Sequence, residues 1–267
     1  MLERMPSLDQ ATGLRRMLRR PAVRVLPILG PHGAPWLVAA LARVLSGAGE
    51  RVLVIDQAGE VIARELRIAR PLALDDFLDG VRFVGPSPFG AEEIRVLAAS
   101  RGLERLGGQG IPMEQFFAAL ASLAEGDEPC DLVIIHLTEP RAIARIVDPD
   151  AEILMATGVS ESWIERTYRA IKAATPEHRQ FKVLINGAND LSAAMRTYRR
   201  IARTAEKFLG LVPAYGGFLP AESFAMQGQG SPSSSAQMRA VARLAAGLGD
   251  WPLAEYPAGF AASAHSS

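Results

Sequence analysis

Residues 22–56, AVRVLPILGPHGAPWLVAALARVLSGAGERVLVID, decide the fold that this sequence can adopt. Val23 to Leu29 is an apolar, β-branched run of strand length, and Gly30-Pro31-His32-Gly33-Ala34-Pro35 interrupts it. Residues 36–46 then have helical periodicity, and residues 51–55 form a second apolar strand that ends in Asp56. Strand, glycine-containing loop, helix and strand in this order predict the βαβ unit of an α/β sheet.

The rest of the chain continues this alternation, which predicts a doubly wound, mostly parallel sheet with helices on both faces. Further apolar strands are expected at 94–98, 132–135, 153–156 and 181–185, and longer helices at 113–124, 191–208 and 236–248. Five residues follow strands of this sheet: Gly30, Asp56, His136, Thr157 and Asn186. Because the ligand site of such a sheet lies at the carboxyl ends of its strands, we expect these residues to lie along one edge.

Three regions are predicted along the chain. Residues 1–21 form a short N-terminal helical arm, since Leu8, Ala11 and Leu18 share one helical face and Pro21 ends the segment. Residues 22–250 form the α/β domain. Residues 251–267 are expected to be a disordered tail.

Composition excludes several classes of protein. The 29 basic and 29 acidic residues balance, which argues against a nucleic-acid binder. The chain has no unbroken apolar run long enough to span a membrane and no apolar segment typical of a secretory signal. Cys130 is the only cysteine, so an internal disulfide is excluded, and a reducing cytoplasm is the expected location.

The sequence contains three motifs that occur together in one protein class: Asp9-Gln10-Ala11-Thr12-Gly13-Leu14-Arg15, Ala40-Leu41-Ala42 followed by residues 51–56, and Val183-Leu184-Ile185-Asn186 followed by Phe208-Leu209-Gly210. Together they resemble the MinD/ParA class of P-loop ATPases. The first motif resembles the D-Q-A-x-G-L-R signature of the FlhG (FleN, YlxH) branch, which regulates the number and placement of bacterial flagella. The resemblance covers most of residues 7–220 and implies a MinD-like fold.

The resemblance also implies a degenerate nucleotide site. It places Gly30 and Gly33 on glycines of the phosphate-binding loop, Ala34 on its lysine and Pro35 on its Mg²⁺-ligating Ser/Thr. His136 takes the place of the Walker B aspartate. Asp56, the first aspartate of the family's D-x-D, and Asn186, at its adenine contact, are retained. Since phosphoryl transfer depends on positioning and charge neutralisation, we expect a pseudo-ATPase, with no cofactor and with binding of ATP and Mg²⁺ lost or weak.

Two other interpretations of these residues stay open. The segment 30–35 is, in one of them, an ordinary α/β turn that never bound phosphate. In the other, His32, His136 and Asp56 bind zinc, because two histidines and a carboxylate are suitable ligands. No short-range ligand spacing supports the second interpretation, and the expectation is that the protein has no metal site.

The N-terminal arm carries the candidate partner-binding residues. In FlhG proteins this helix is understood to dock on the flagellar SRP-type GTPase, FlhF, and to stimulate GTP hydrolysis with its glutamine. The resemblance therefore assigns partner binding to Asp9, Gln10, Ala11, Gly13, Leu14 and Arg15, with Gln10 acting in trans on the bound GTP. A plainer alternative is that Gln10 only completes a capping box with Ser7.

The expected protein is therefore a cytoplasmic regulator that binds FlhF, with recruitment to the cell pole also considered. With Leu29 and Ala34 in place of the family's two lysines, a monomer is expected. The helix at 236–248 is alanine-rich and lacks large aromatic residues, so membrane binding is expected to be absent or weak. Two alternative functions stay open: an active MinD-like ATPase with a deviant loop, and an interaction protein that controls a flagellar transcription factor or assembly of the C-ring.

Overall fold

The computed structural model describes residues 22–30, 34–81, 94–106, 113–123, 129–147, 151–175, 180–221, 235–251 and 253–257. These residues form one nine-stranded sheet that is covered by helices on both faces. The predicted α/β class and mostly parallel sheet are therefore confirmed. The predicted helical arm, residues 1–21, lies outside the described residues.

Eight strands pair in parallel, and the ninth pairs antiparallel. They form where β-branched and leucine residues cluster, since such side chains pack well on a pleated surface. The strands are β1 Ala22–Leu29, β2 Val52–Asp56, β3 Leu72–Ala73, β4 Ile94–Ala98, β5 Leu132–Leu137, β6 Glu152–Thr157, β7 Gln180–Ala188, β8 Ala214–Pro220 and β9 Ala254–Pro257.

The helices occupy the connections between these strands, as a parallel sheet requires. They are α1 Ala34–Gly47, α2 Val61–Leu66, α3 Leu74–Leu78, α4 Gly102–Arg105, α5 Met113–Ser122, α6 Pro140–Ile146, α7 Glu161–Ala174, α8 Leu191–Leu209 and α9 Ser235–Gly247. The longest, α8, begins at an Asp190 cap, whose Oδ1 accepts from the Ala193 amide at 2.7 Å, and ends at Gly210 with a φ of 70°.

The strand order places β1 in the middle of the sheet. Along the sheet the order is β3-β4-β2-β5-β1-β6-β7-β8, with β9 beside β1. The chain leaves β1 for β2, which lies on one side of β1, whereas it leaves β5 for β6, which lies on the other side of β1. Ligands of open α/β sheets bind at such a reversal, and Gly30, at the carboxyl end of β1, lies at this position.

Two apolar layers bury the two faces of the sheet. Leu26 and Ile28 of β1 pack with Leu37 of α1 and Val241 of α9 on one face, which we call the α1 face. Alternate residues such as Val25 pack on the other face with α5, α7 and α8. Strands that are covered on both faces read as continuous apolar runs, and this explains why the central strands could be predicted from sequence.

The predicted disordered tail, residues 251–267, is wrong for residues 254–257. These form β9, which pairs antiparallel with the first half of β1, Val23 opposite Tyr256. Tyr256 is 5% exposed and stacks on Phe117 with 5.1 Å between ring centroids. A single aromatic side chain that fills a gap in a distant layer gives no periodic signal, so the sequence did not indicate this strand. Residues 258–267 lie outside the described part.

The C-terminal helix α9 packs on the domain. Its apolar stripe is buried, with Val241 at 0% and Leu244 at 8% exposure, in the layer that contains α1. Over the residues that the structure covers, we find no helix with the length and apolarity needed to cross a membrane.

Candidate functional site

The strand-end residues singled out above lie at the carboxyl edge of the sheet. Asp56 of β2 is directly opposite His136 of β5, and Ile28 of β1 is opposite His136 on its other side. Asn186 lies further along the same edge, on β7. The parallel register places these residues along one edge although up to 158 positions separate them in the chain.

Asp56 and His136 form a buried pair. His136 Nδ1 lies 2.8 Å from Asp56 Oδ1, and both side chains are 0% exposed. Because a carboxylate only accepts hydrogen bonds, Nδ1–H is the donor. The same Oδ1 also accepts from the Ala58 amide, and Oδ2 accepts from the Ile62 amide, each at 3.0 Å. The carboxylate thus holds the turn after β2, the start of α2 and the imidazole of β5.

Three buried polar atoms at this edge have no hydrogen-bond partner within the described residues. They are Nε2 of His136 and both polar atoms of the Asn186 amide. Asn186 is only 1% exposed, so its amide is buried from bulk solvent. Buried polar groups are normally paired, and unpaired ones often mark a binding or catalytic position.

Gln57 is a residue of this site that the sequence analysis did not single out. Its Oε1 accepts from the Thr138 amide at 2.8 Å, from the Thr138 hydroxyl at 3.3 Å and from the Glu139 amide at 3.1 Å. Gln57 therefore fastens the segment between β5 and α6 to the end of β2. No local pattern in the sequence indicates this contact, because it joins residues more than 80 positions apart.

Replacing Gln57 by alanine should loosen the segment between β5 and α6. Three donors lose their acceptor, so we expect the free energy of unfolding to fall by about 1–3 kcal/mol. Hydrogen exchange of the Thr138 and Glu139 amides should accelerate, and native-state exchange measures this directly. Gln57→Glu, which keeps an acceptor oxygen, is the matched control. Unchanged exchange in Gln57→Ala would show that the contact does not hold the segment.

The first two residues of α1 have no cationic or hydroxyl side chain. Ala34 is fully buried and Pro35, the next residue, has neither a side-chain hydroxyl nor a backbone N–H. A Cβ added to Gly30 would lie 2.7 Å from the carbonyl oxygen of Ala156, so only glycine permits this approach of β1 to β6. Pro31, His32 and Gly33 lie outside the described residues.

A magnesium ion does not fit the donor set that is present. Mg²⁺ prefers oxygen ligands in octahedral geometry. Pro35 supplies no oxygen from its side chain, His136 presents a nitrogen, and both oxygens of Asp56 already accept hydrogen bonds from protein donors. Among the described residues of this edge, Ala34, Pro35 and His136 therefore supply no side-chain oxygen for a Mg²⁺ ion.

A zinc site would need ligands from elsewhere. Within the described ranges, no group of three or more His, Cys, Asp or Glu side chains is placed to share a metal ion. Asp56 and His136 hydrogen-bond each other. The third residue of the zinc hypothesis, His32, lies outside those ranges, as do the partner-binding candidates Asp9, Gln10, Ala11, Gly13, Leu14 and Arg15.

Several solved structures from bacteria and archaea are similar to this fold. The fold is similar to MinD in the MinC:MinD cell division protein complex of Aquifex aeolicus, with 17% identity over 87% of this chain and 99% of that chain and a TM-score of 0.60. A ParA family ATPase from Chlorobium tepidum has 18% identity over 85% of this chain and 99% of that chain, with a TM-score of 0.59. The septum site-determining protein MinD of Pyrococcus horikoshii, complexed with Mg-ADP, has 14% identity over 85% of this chain and 96% of that chain, with a TM-score of 0.56.

The chain therefore has the MinD/ParA type of α/β fold, which the sequence predicted. No protein-family model matches the chain, and no curated protein matches it in sequence.

Proposed function

We propose that this protein is a non-hydrolysing, FlhG-like regulator of flagellar number and placement. In this proposal it binds the flagellar SRP-type GTPase FlhF and stimulates GTP hydrolysis through its N-terminal helix. The observation that carries the non-hydrolysing half is the buried pair of Asp56 and His136, because the resemblance places the Walker B aspartate at position 136.

Several losses support the absence of ATP hydrolysis. The similar MinD of Pyrococcus horikoshii holds Mg-ADP. At the positions that the resemblance assigns to the family's nucleotide site, this chain has Ala34 for the phosphate-binding lysine, Pro35 for the metal-ligating hydroxyl and His136 for the Walker B carboxylate. Removing one electrostatic stabiliser of a transition state typically raises the barrier by about 3–4 kcal/mol, and here three groups are missing. Gln57 and Asp56 also tie β2, α2, β5 and α6 together, which disfavours a nucleotide-driven rearrangement of this edge.

The activating half is supported by the motif Asp9-Gln10-Ala11-Thr12-Gly13-Leu14-Arg15, which is intact where the ATPase motifs are not. Glycine inside a helix destabilises it by about 1 kcal/mol relative to alanine, so Gly13 is better explained by close approach of a partner than by packing. Gln10 lies three residues earlier, on nearly the same helical face. A glutamine amide can orient the water that attacks the γ-phosphate of GTP.

A monomer in the cytoplasm completes the proposal. Leu29, which is 1% exposed, stands where the resemblance places the lysine that reaches across an ATP-bound dimer. Neither Leu29 nor Ala34 can neutralise phosphate charge between two copies. Recruitment to the cell pole would then follow from FlhF.

Turnover of ATP tests the non-hydrolysing half. We expect no hydrolysis of Mg-ATP above the buffer rate, measured by phosphate release from the full chain. The double variant Ala34→Lys/Pro35→Thr should remain inactive, because His136 still replaces the acidic group. Turnover that is Mg²⁺-dependent and abolished by Asp56→Asn would contradict the proposal and favour an active ATPase with a deviant loop.

A further inference from the structure

The N-terminal arm joins the sheet at its amino edge, at the opposite end of β1 from the candidate site. Strand β1 begins at Ala22, directly after the arm, and ends at Leu29, beside Gly30 of the carboxyl edge. Seven residue steps of about 3.3 Å place Ala22 about 23 Å from Leu29. The direction in which residues 1–21 leave the domain is therefore set at the amino edge.

The first four residues of β1, 22–25, which we call the arm root, depend on β9 for their pairing. Residues 254–257 of β9 pair antiparallel with the arm root, with Ala22 opposite Pro257. The pairing of β1 with β5 begins only at Arg24, and its pairing with β6 is limited to Ile28 and Leu29. Among the described strands, β9 is thus the one that pairs with the first two residues of the arm root. Strand ends whose backbone groups are unpaired open easily, so β9 protects the arm root from fraying.

One aromatic contact holds β9 in this place. Tyr256 lies directly opposite Val23, is 5% exposed, and stacks on Phe117 of α5 with 5.1 Å between ring centroids and 14° between ring planes. The oppositely charged Arg24 and Glu255 also stand directly opposite each other, an arrangement that favours this register. Because β9 has only four residues, its attachment to the layer below depends strongly on the Tyr256 ring.

The sequence predicts a stiff junction between the arm root and the arm. Pro21 directly precedes Ala22. Proline fixes its own φ and restricts the residue before it to extended backbone. A stiff junction transmits the direction of β1 to the arm, whereas a frayed arm root would let the arm sample many directions.

We propose that β9 is a clamp that sets the direction in which the N-terminal arm leaves the domain, and that it thereby presents Gln10 to the partner GTPase. The proposal rests on the activating half of the proposed function. Tyr256 is then a positioning residue, which acts through the arm root and not on GTP. A held arm loses less conformational freedom when it binds, so the clamp increases affinity for the GTPase without adding a contact.

Stimulated GTP hydrolysis by FlhF, titrated with the full chain, tests the clamp. Tyr256→Ala should raise the concentration needed for half-maximal stimulation by about tenfold, because the freed arm has a lower effective concentration at the GTPase. The maximal stimulated rate should change by less than about twofold, since Gln10 is unaltered. Tyr256→Phe keeps the stacked ring and should behave like the unchanged chain.

A matched control removes a ring from another aromatic pair. Tyr168 and Phe208 lie on α7 and α8 with 6.4 Å between ring centroids, and Tyr168→Ala should leave both the half-maximal concentration and the maximal rate unchanged. Thermal unfolding establishes that each variant is folded. Tyr256→Leu, which keeps an apolar side chain at this position, provides the same test if Tyr256→Ala does not fold.

A disulfide across the clamp provides a rescue. Directly opposite residues of antiparallel strands have Cα atoms about 4.5–5.5 Å apart, within the range that a disulfide bridges, and Ala22 and Pro257 are such a pair. In the Tyr256→Ala background, Ala22→Cys/Pro257→Cys should restore the original half-maximal concentration when oxidised and lose it again when reduced. Failure of the oxidised form to restore it would overturn the inference.

Mobility of the arm gives a readout that needs no GTPase. A fluorophore attached to Arg19→Cys reports on the arm, because Cys130 is 3% exposed and reacts slowly. Its anisotropy should fall in Tyr256→Ala and not in Tyr168→Ala. Unchanged anisotropy in folded Tyr256→Ala, or an unchanged half-maximal concentration, would overturn this inference alone. Absence of any stimulation by the unchanged chain would instead overturn the activating half of the proposed function, while the anisotropy still tests the clamp.

Discussion

Replacing Gln10 by alanine should remove most of the stimulation of GTP hydrolysis that the proposed function assigns to this chain. A positioned group that orients the attacking water contributes about a hundredfold or more to the rate. Single-turnover GTP hydrolysis by FlhF, with the full chain and with Gln10→Ala, measures the loss. Binding of the two proteins should change much less than the rate, because Asp9, Gly13, Leu14 and Arg15 remain in place.

Two control variants separate this role from a structural one. Ser7→Ala breaks the capping box that Ser7 and Gln10 could form, and helix caps are worth about 1 kcal/mol. If Gln10 acts only as a cap partner, Ser7→Ala and Gln10→Ala will reduce stimulation equally. Gln180→Ala removes an exposed glutamine at the start of β7 and should leave the rate unchanged. Full stimulation by Gln10→Ala would refute the assignment and favour an interaction protein whose arm has no part in hydrolysis.

The second large effect concerns stability. His136→Ala should lower the free energy of unfolding by about 3–5 kcal/mol, because Asp56 then keeps a buried carboxylate without its imidazole partner. Urea unfolding followed by circular dichroism measures the change. The thiol of Cys130 gives a second readout, since it is 3% exposed and burial raises its pKa to about 12, so it reacts slowly until the chain unfolds.

An exposed ion pair provides the matched comparison. Arg169 and Glu165 are 70% and 61% exposed and one helical turn apart on α7, so Glu165→Ala should change stability by less than about 0.5 kcal/mol. If His136→Ala also lowers the free energy of unfolding by less than about 0.5 kcal/mol, the Ala58 and Ile62 amides alone satisfy the Asp56 carboxylate.

The position of Asp56 beside residue 136 makes an acidic residue at position 136 unfavourable. His136→Asp would place a second buried carboxylate beside Asp56, and two such groups at hydrogen-bond distance repel each other unless a cation or proton separates them. An imidazole at this position instead forms a hydrogen bond with Asp56 at 2.8 Å.

Much of the fold could be predicted because it depends on local patterns. The apolar runs of β1, β2, β5, β6 and β7 and the glycine-containing loop after β1 were sufficient to predict a parallel sheet with its site at the carboxyl edge. The tail could not be predicted, since β9 depends on Tyr256 reaching Phe117. For the site, the residue types at the strand ends are visible in the sequence, whereas the hydrogen-bond partners of those residues are not.

The sequence by itself determined the apolar runs of the central strands, the absence of a cationic or hydroxyl side chain at Ala34 and Pro35, and the motif around Gln10, because each depends on residue type at short spacing. Only the tertiary structure decided which groups hydrogen-bond the Asp56 carboxylate, namely the His136 imidazole and the Ala58 and Ile62 amides. It also decided that Gln57 accepts hydrogen bonds from the segment between β5 and α6. Within the described residues, the Asn186 amide has no hydrogen-bond partner. Hydrogen bonds are directional and short, so whether a buried group is satisfied depends on strand register and on the path of distant segments, which no local pattern encodes.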